Sequence, residues 1–219
     1  MDNVLYIEFQ TMNPNIKFNE LVKKAVKGFD QKKLLLGFSL CATPINLGKP
    51  VIMGINWGGG SSADNISYES KLTMPTIEEF KVDYKEGYYP FLNRSQNLIK
   101  NYLKISVEEA EFNYTNLCLF RSPNISSLTS ADFKEGIPLL KDFVGWIQPP
   151  SILSLGNSNM RYLKKEMNGS CETVKLKGKG QVGYRGVLWG CNFYCVPHPI
   201  AWNLNEEQRN EIWQAVFLG

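Results

Sequence analysis

Four polar positions stand where apolar runs end, and their types bound the chemistry available to this chain. Asn56 closes VIMGIN (Val51–Asn56), Asn116 lies toward the end of EFNYTNLCLF (Glu111–Phe120), Gly156 and Asn157 end SILSLG, and His198, the sole histidine, follows CNFYCV. A carboxamide offers a carbonyl and an NH2 in one plane, and an imidazole offers a donor and an acceptor. Either type also serves turns and helix caps, so none is diagnostic alone. Gly58, Gly59 and Gly60 follow Asn56 directly and form a backbone bare enough to cradle a phosphate. The Lys-Ser/Thr ending of a nucleotide P-loop is missing, which disfavours nucleotide hydrolysis. Cys191, Cys195 and His198 have a C-x3-C-x2-H spacing, but alternate strand positions and the lack of a fourth ligand argue against zinc. A thiol nucleophile, Cys118 or Cys195 with His198, stays open, although Cys118 sits inside an apolar run where packing is the commoner fate.

The elements that must position these residues follow from periodicity. The four apolar runs, Val51–Asn56, Glu111–Phe120, Ser151–Gly156 and Cys191–Val196, have the length and composition of strands. Helical spacing covers Phe18–Phe38, Tyr89–Ile105, Ala131–Ile147, Asn157–Met167 and Asn205–Phe217. Connections of that length carry helices and make the strands parallel, so the expected fold is a three-layer α/β/α sandwich around a mainly parallel four-stranded sheet. In such a sheet, ligands bind outside the carboxyl ends of the strands, which is where the polar residues fall. The segment KLKGKGQVGYRG, Lys175–Gly186, is expected as a basic loop or exposed ribbon.

Bulk properties exclude little. The 219 residues are expected to form a single domain, 1–219, acting as a monomer, and the net charge of +3 neither demands nor excludes nucleic acid. No apolar run reaches the roughly 20 residues of a membrane span, and MDNVLYIEFQ lacks a secretion signal, so an intracellular protein with no membrane partner is expected. The five cysteines suit packed thiols better than a disulfide framework.

Together, GINWGG (54–59), TNLCLF (115–120), SLGNS (154–158) and PHPIAWN (197–203) resemble, in order and spacing, the uracil-DNA glycosylase superfamily. The resemblance runs from about Lys49 to Gly219 and is nearest the mismatch-specific and single-strand-selective monofunctional branches. Two positions depart from the pattern: Trp57 replaces the usual proline and Ile200 the usual serine. The cysteines do not follow the spacing of the iron–sulfur branch, so no cofactor or metal is expected.

The resemblance implies a glycosylase that hydrolyses the bond between a flipped-out uracil, or a related deaminated base, and its sugar in DNA. Asn56 would orient the attacking water, His198 would donate to the departing base, and Asn116 would pair with its Watson–Crick edge. Gly54, Ile55, Trp57 and Gly58 would shape the pocket floor. Tyr68, Phe80 and Phe91 are candidates for stacking on the base, with Tyr68 placed in the substrate site. Ser61, Ser62, Lys177, Lys179 and Arg185, with Lys175, would meet phosphates, and Trp202 would wedge into the gap left by the flipped base. Two rivals remain: a non-catalytic nucleic-acid binder whose pocket Trp57 and Ile200 have closed, and a Cys/His hydrolase of small molecules.

Overall fold

The computed structural model describes residues 13–29, 37–57, 71–121, 126, 128–200 and 204–219. Among the described residues six strands form one sheet: β1 (Val51–Gly54), β2 (Asn113–Asn116), β3 (Ser151–Leu155), β4 (Glu172–Leu176), β5 (Gly180–Leu188) and β6 (Cys191–Val196), in spatial order β2-β1-β3-β6-β5-β4. The first four in that order run parallel, as expected, and pair in the registers Gly54–Asn116, Met53–Ser154 and Leu155–Val196. Because β2 and β3 lie on opposite sides of β1, the chain reverses its direction of travel there, and the loops after β1, β2 and β3 splay apart at the carboxyl rim.

The expected strand count of four needs correction. Lys175–Gly186 is part of an antiparallel hairpin, β4–β5, that pairs with β6 and extends the sheet. Its glycines hid it. At Gly183 a Cβ would lie 2.5 Å from the carbonyl oxygen of Cys195 and 2.6 Å from a methyl of Val216, so only glycine lets the last helix pack this closely.

Helices cover both faces. α1 (Pro14–Gly28) starts at Asn13, whose side chain accepts from the Asn15 N–H, and buries Phe18, Leu21, Val22 and Ala25 at helical spacing. α2 (Ile77–Lys85) carries a capping box, Thr76 with Glu79, and buries only Phe80. That single buried residue leaves too weak a periodicity to read, although the T-x-x-E signal was present. α3 (Pro90–Leu103) has proline in its first turn. α4 (Ser130–Ile147) is capped by Thr129 with Asp132. α5 (Met160–Leu163) is a single turn flanked by 3-10 turns, and α6 (Glu206–Leu218) is capped by Asn205 with Gln208. The helix expected over Phe18–Phe38 ends at Gly28, and Phe38 instead forms a bridge to Phe120.

Strand side chains alternate between two cores. Val51, Met53, Ile152, Phe193 and Cys195 join α1, α4 and α5 on one face. Ile52, Leu153, Leu155, Tyr114 and Val196 join α2, α3 and α6 on the other. The expected three layers are present. Among the described residues no helix is long and apolar enough to cross a membrane.

Candidate active site

The chain at the end of β1 is gripped from two sides by three hydrogen bonds. The Gly54 carbonyl accepts from the Leu117 N–H (3.1 Å) and from Asn159 Nδ2 (3.1 Å), and the Ile55 carbonyl accepts from the Cys118 N–H (2.9 Å). Asn159 is fully buried and also donates to Ser154 Oγ at 2.9 Å, so the chain beyond β3 fixes the chain beyond β1. Sequence reasoning missed Asn159. Its only signal was a further asparagine just past SLGNS, near the start of a segment read as helical.

This clamp sets one wall of a cavity of about 250 Å³ at the carboxyl rim. Gly54, Ile55, Asn56, Trp57, Asn116 and His198, six residues singled out in the sequence, line it together. Its volume lies below the roughly 300–1,000 Å³ of drug-sized sites, which suits a single heteroaromatic ring. Asn116 is fully buried; its Oδ1 accepts from the Tyr114 hydroxyl at 3.1 Å, and its Nδ2 has no partner among the described residues. An unpaired buried donor costs about 1–3 kcal/mol, a cost that an acceptor brought to Nδ2 would offset. Gly54 makes this arrangement possible: a Cβ there would overlap Asn116 Oδ1 and come within 2.7 Å of the Tyr114 hydroxyl.

Trp57 forms a wall of the cavity and does not plug it. Its Nε1 donates to the Ser39 carbonyl at 2.8 Å, and its ring meets Tyr114 edge-on at 5.4 Å and 83°. Ile200 is 41% exposed and does not line the cavity; its N–H donates to His198 Nδ1 at 3.3 Å. Neither departure from the expected motif closes the site. Burial holds the His198 imidazole below its ordinary pKa, which favours the neutral ring.

Phe91 lines the cavity with its ring 5.9 Å from His198 and 5.4 Å from Tyr114. Phe80 does not reach it. That ring is fully buried between Tyr84 and Tyr89, as a core residue. Tyr88, Tyr89, Pro90 and Tyr114 complete the lining and were not singled out, although the run YYPF at a helix start was visible. Gly58, Ser61, Ser62, Tyr68 and Trp202 lie outside the described residues, as do Gly59 and Gly60.

The thiol alternative loses its geometry. Cys118 and Cys195 are fully buried and neither lines the cavity. Burial pushes the Cys195 thiol up to about 12, where the reactive thiolate is scarce. Cys191 and Cys195 stand four residues apart on β6, roughly 13 Å at strand rise, too far to share one metal ion.

Lys177, Lys179 and Arg185 sit on the β4–β5 hairpin, away from the cavity lining. Tyr184 pairs with Cys195 at the end of β6, so Gly180–Val182 and the turn holding Lys177 and Lys179 project beyond the same rim as the cavity. Arg185 makes two bonds to Glu172, at 2.7 and 2.8 Å, and Lys179 is paired with Glu211. Both are engaged within the protein. Lys177 is exposed, with no ion pair among the described residues.

Residues 81–217 match a family model described as the Uracil DNA glycosylase superfamily. That range includes Asn116 and His198 and begins after Asn56. No curated protein matches the chain.

Proposed function

The chain belongs to the uracil DNA glycosylase superfamily, and from that premise we propose that it is a monofunctional DNA glycosylase removing uracil, or a related deaminated base, by direct attack of water. Membership supports a glycosylase-type hydrolase acting on DNA; the choice of base rests on the site. One observation carries it: Asn116, which lines one cavity with Asn56 and His198, keeps a buried Nδ2 donor with no partner among the described residues.

A base inside a duplex cannot reach this cavity, so the nucleotide is flipped out, at a cost of a few kcal/mol, and stacks against Phe91. Uracil presents an O4 acceptor to Asn116 Nδ2, and its N3–H reaches the second lone pair of Oδ1. Cytosine places an amino group opposite the same donor and is rejected. As the glycosidic bond stretches, positive charge grows on the sugar and negative charge on the base. The His198 Nε2–H donates to the oxygen where that charge collects, a preorganised contact that needs no proton transfer. Asn56 orients the water that adds to the sugar carbon; the bonding pair leaves with the base, and the proton that the added water sheds passes to solvent and from there to the base anion. A carboxamide is a weak base, which suffices when the base departs ahead of attack. Lys177 and the glycines that follow Trp57 in the sequence would attract the neighbouring phosphates.

The test is a panel of single- and double-stranded oligonucleotides bearing uracil, hypoxanthine, xanthine or hydroxymethyluracil. Uracil strands should break only after alkali, the mark of an abasic site made without strand cleavage. Uracil strands that are bound but left intact would overturn the proposal in favour of a non-catalytic binder.

A further inference from the structure

Resting on that reading, we propose that Tyr114 is the positioning residue that sets base specificity, by locking the Asn116 carboxamide with Nδ2 toward the base. A carboxamide is nearly symmetric in shape, and a half-turn exchanges its donor for its acceptor. With Nδ2 inward the pocket selects a carbonyl on the base; with Oδ1 inward it selects an amino group. Something must therefore decide the orientation.

The phenol does so because it carries a single proton. Tyr114 is buried, and its hydroxyl makes one hydrogen bond among the described residues, to Asn116 Oδ1 at 3.1 Å. Turning the amide over would set Nδ2 against the phenol oxygen and leave the phenol proton in the interior with no acceptor. The ring cannot swing to find another. Trp57 meets it edge-on at 5.4 Å, Tyr89 lies at 5.7 Å and 69°, and Phe91 lies at 5.4 Å. Gly54 closes the cluster, since any side chain there would occupy the place of the hydroxyl and of Oδ1. The amide is held by a neighbour two residues back on the same strand, pointing to the same face.

Tyr114→Phe removes one oxygen and keeps the ring. Binding of free uracil and free cytosine is measured by ligand NMR for wild type and variant, alongside single-turnover uracil excision. The wild type should favour uracil, and the variant's preference should fall by roughly tenfold or more, bringing cytosine binding into range. In an Asn116→Ala background, Tyr114→Phe should change neither base's binding, because its effect passes through the amide. Wild-type protein that excises uracil, with a Tyr114→Phe variant that keeps the wild-type preference or still binds no measurable cytosine, overturns the orienting role and leaves the glycosylase reading standing. A shift in thermal stability without a shift in preference also overturns it. Wild-type protein that neither excises nor binds uracil overturns both.

Discussion

The main-chain N–H of Ile200 donates to Nδ1 of His198 at 3.3 Å, and a peptide N–H can only donate. Nδ1 is therefore the acceptor, and the proton of the neutral ring sits on Nε2. The backbone makes this contact, so it does not depend on the isoleucine side chain at position 200.

A pH profile follows from that tautomer. Burial lowers the His198 pKa below the ordinary value of about 6.5, so the neutral ring predominates at that pH. Any acid limb of excision due to His198 should have its midpoint below pH 6.5. The stability effect has a definite sign. On acidification the unfolded chain takes up the imidazole proton first, so stability falls as pH drops from about 6.5 toward the lower folded value. His198→Ala should slow single-turnover excision by roughly 10²–10³-fold and abolish both effects, as rate and melting profiles would show.

Gly54→Ala tests whether the amide needs the bare backbone beside it. The added Cβ would lie 2.7 Å from the Tyr114 hydroxyl and overlap Asn116 Oδ1. Asn116 must move, and uracil affinity should fall by roughly one to two orders of magnitude in a binding titration. Gly48→Ala, at an open position with left-handed backbone, is a control that strains the chain without touching the cavity.

The two kinds of cation on the hairpin should behave differently. Lys177→Ala should weaken DNA binding uniformly across sequences and lower the slope of log K against log salt by about 0.7–0.9. Arg185, already held by Glu172, should leave that slope unchanged when replaced by alanine. Equal losses of slope would show that the Arg185 pair opens to meet a phosphate.

Thiol alkylation separates this chemistry from a cysteine mechanism. Iodoacetamide should reach the partly exposed Cys171 and Cys191 and spare Cys41, Cys118 and Cys195 in the native protein. Excision should survive, as mass spectrometry and an activity assay on one sample would show.

Val51–Gly54 and Ser151–Leu155 were legible as strands because each lies in an apolar run buried on both faces, and Asn113–Asn116 and Cys191–Val196 because they sit in or at runs of aromatic and apolar residues of strand length. The edge hairpin was not, because Gly180, Gly183 and Gly186 serve a turn and close packing while looking like a loop. At the site, Asn56, Asn116 and His198 were visible as polar residues ending apolar runs. Tyr114 was not, since an aromatic inside a strand looks like core until its hydroxyl is seen to face an amide. Phe91 and Phe80 were indistinguishable in the sequence, and only tertiary packing puts one in the cavity and the other beneath it.

If the Nδ2 of Asn116 reads the base, as proposed, its own NH2 resonances must respond to uracil. With the signals assigned by their loss in Asn116→Ala, saturating free uracil should move the Nδ2 protons downfield as they gain an acceptor. Uracil that binds and leaves those resonances where they were would contradict the account.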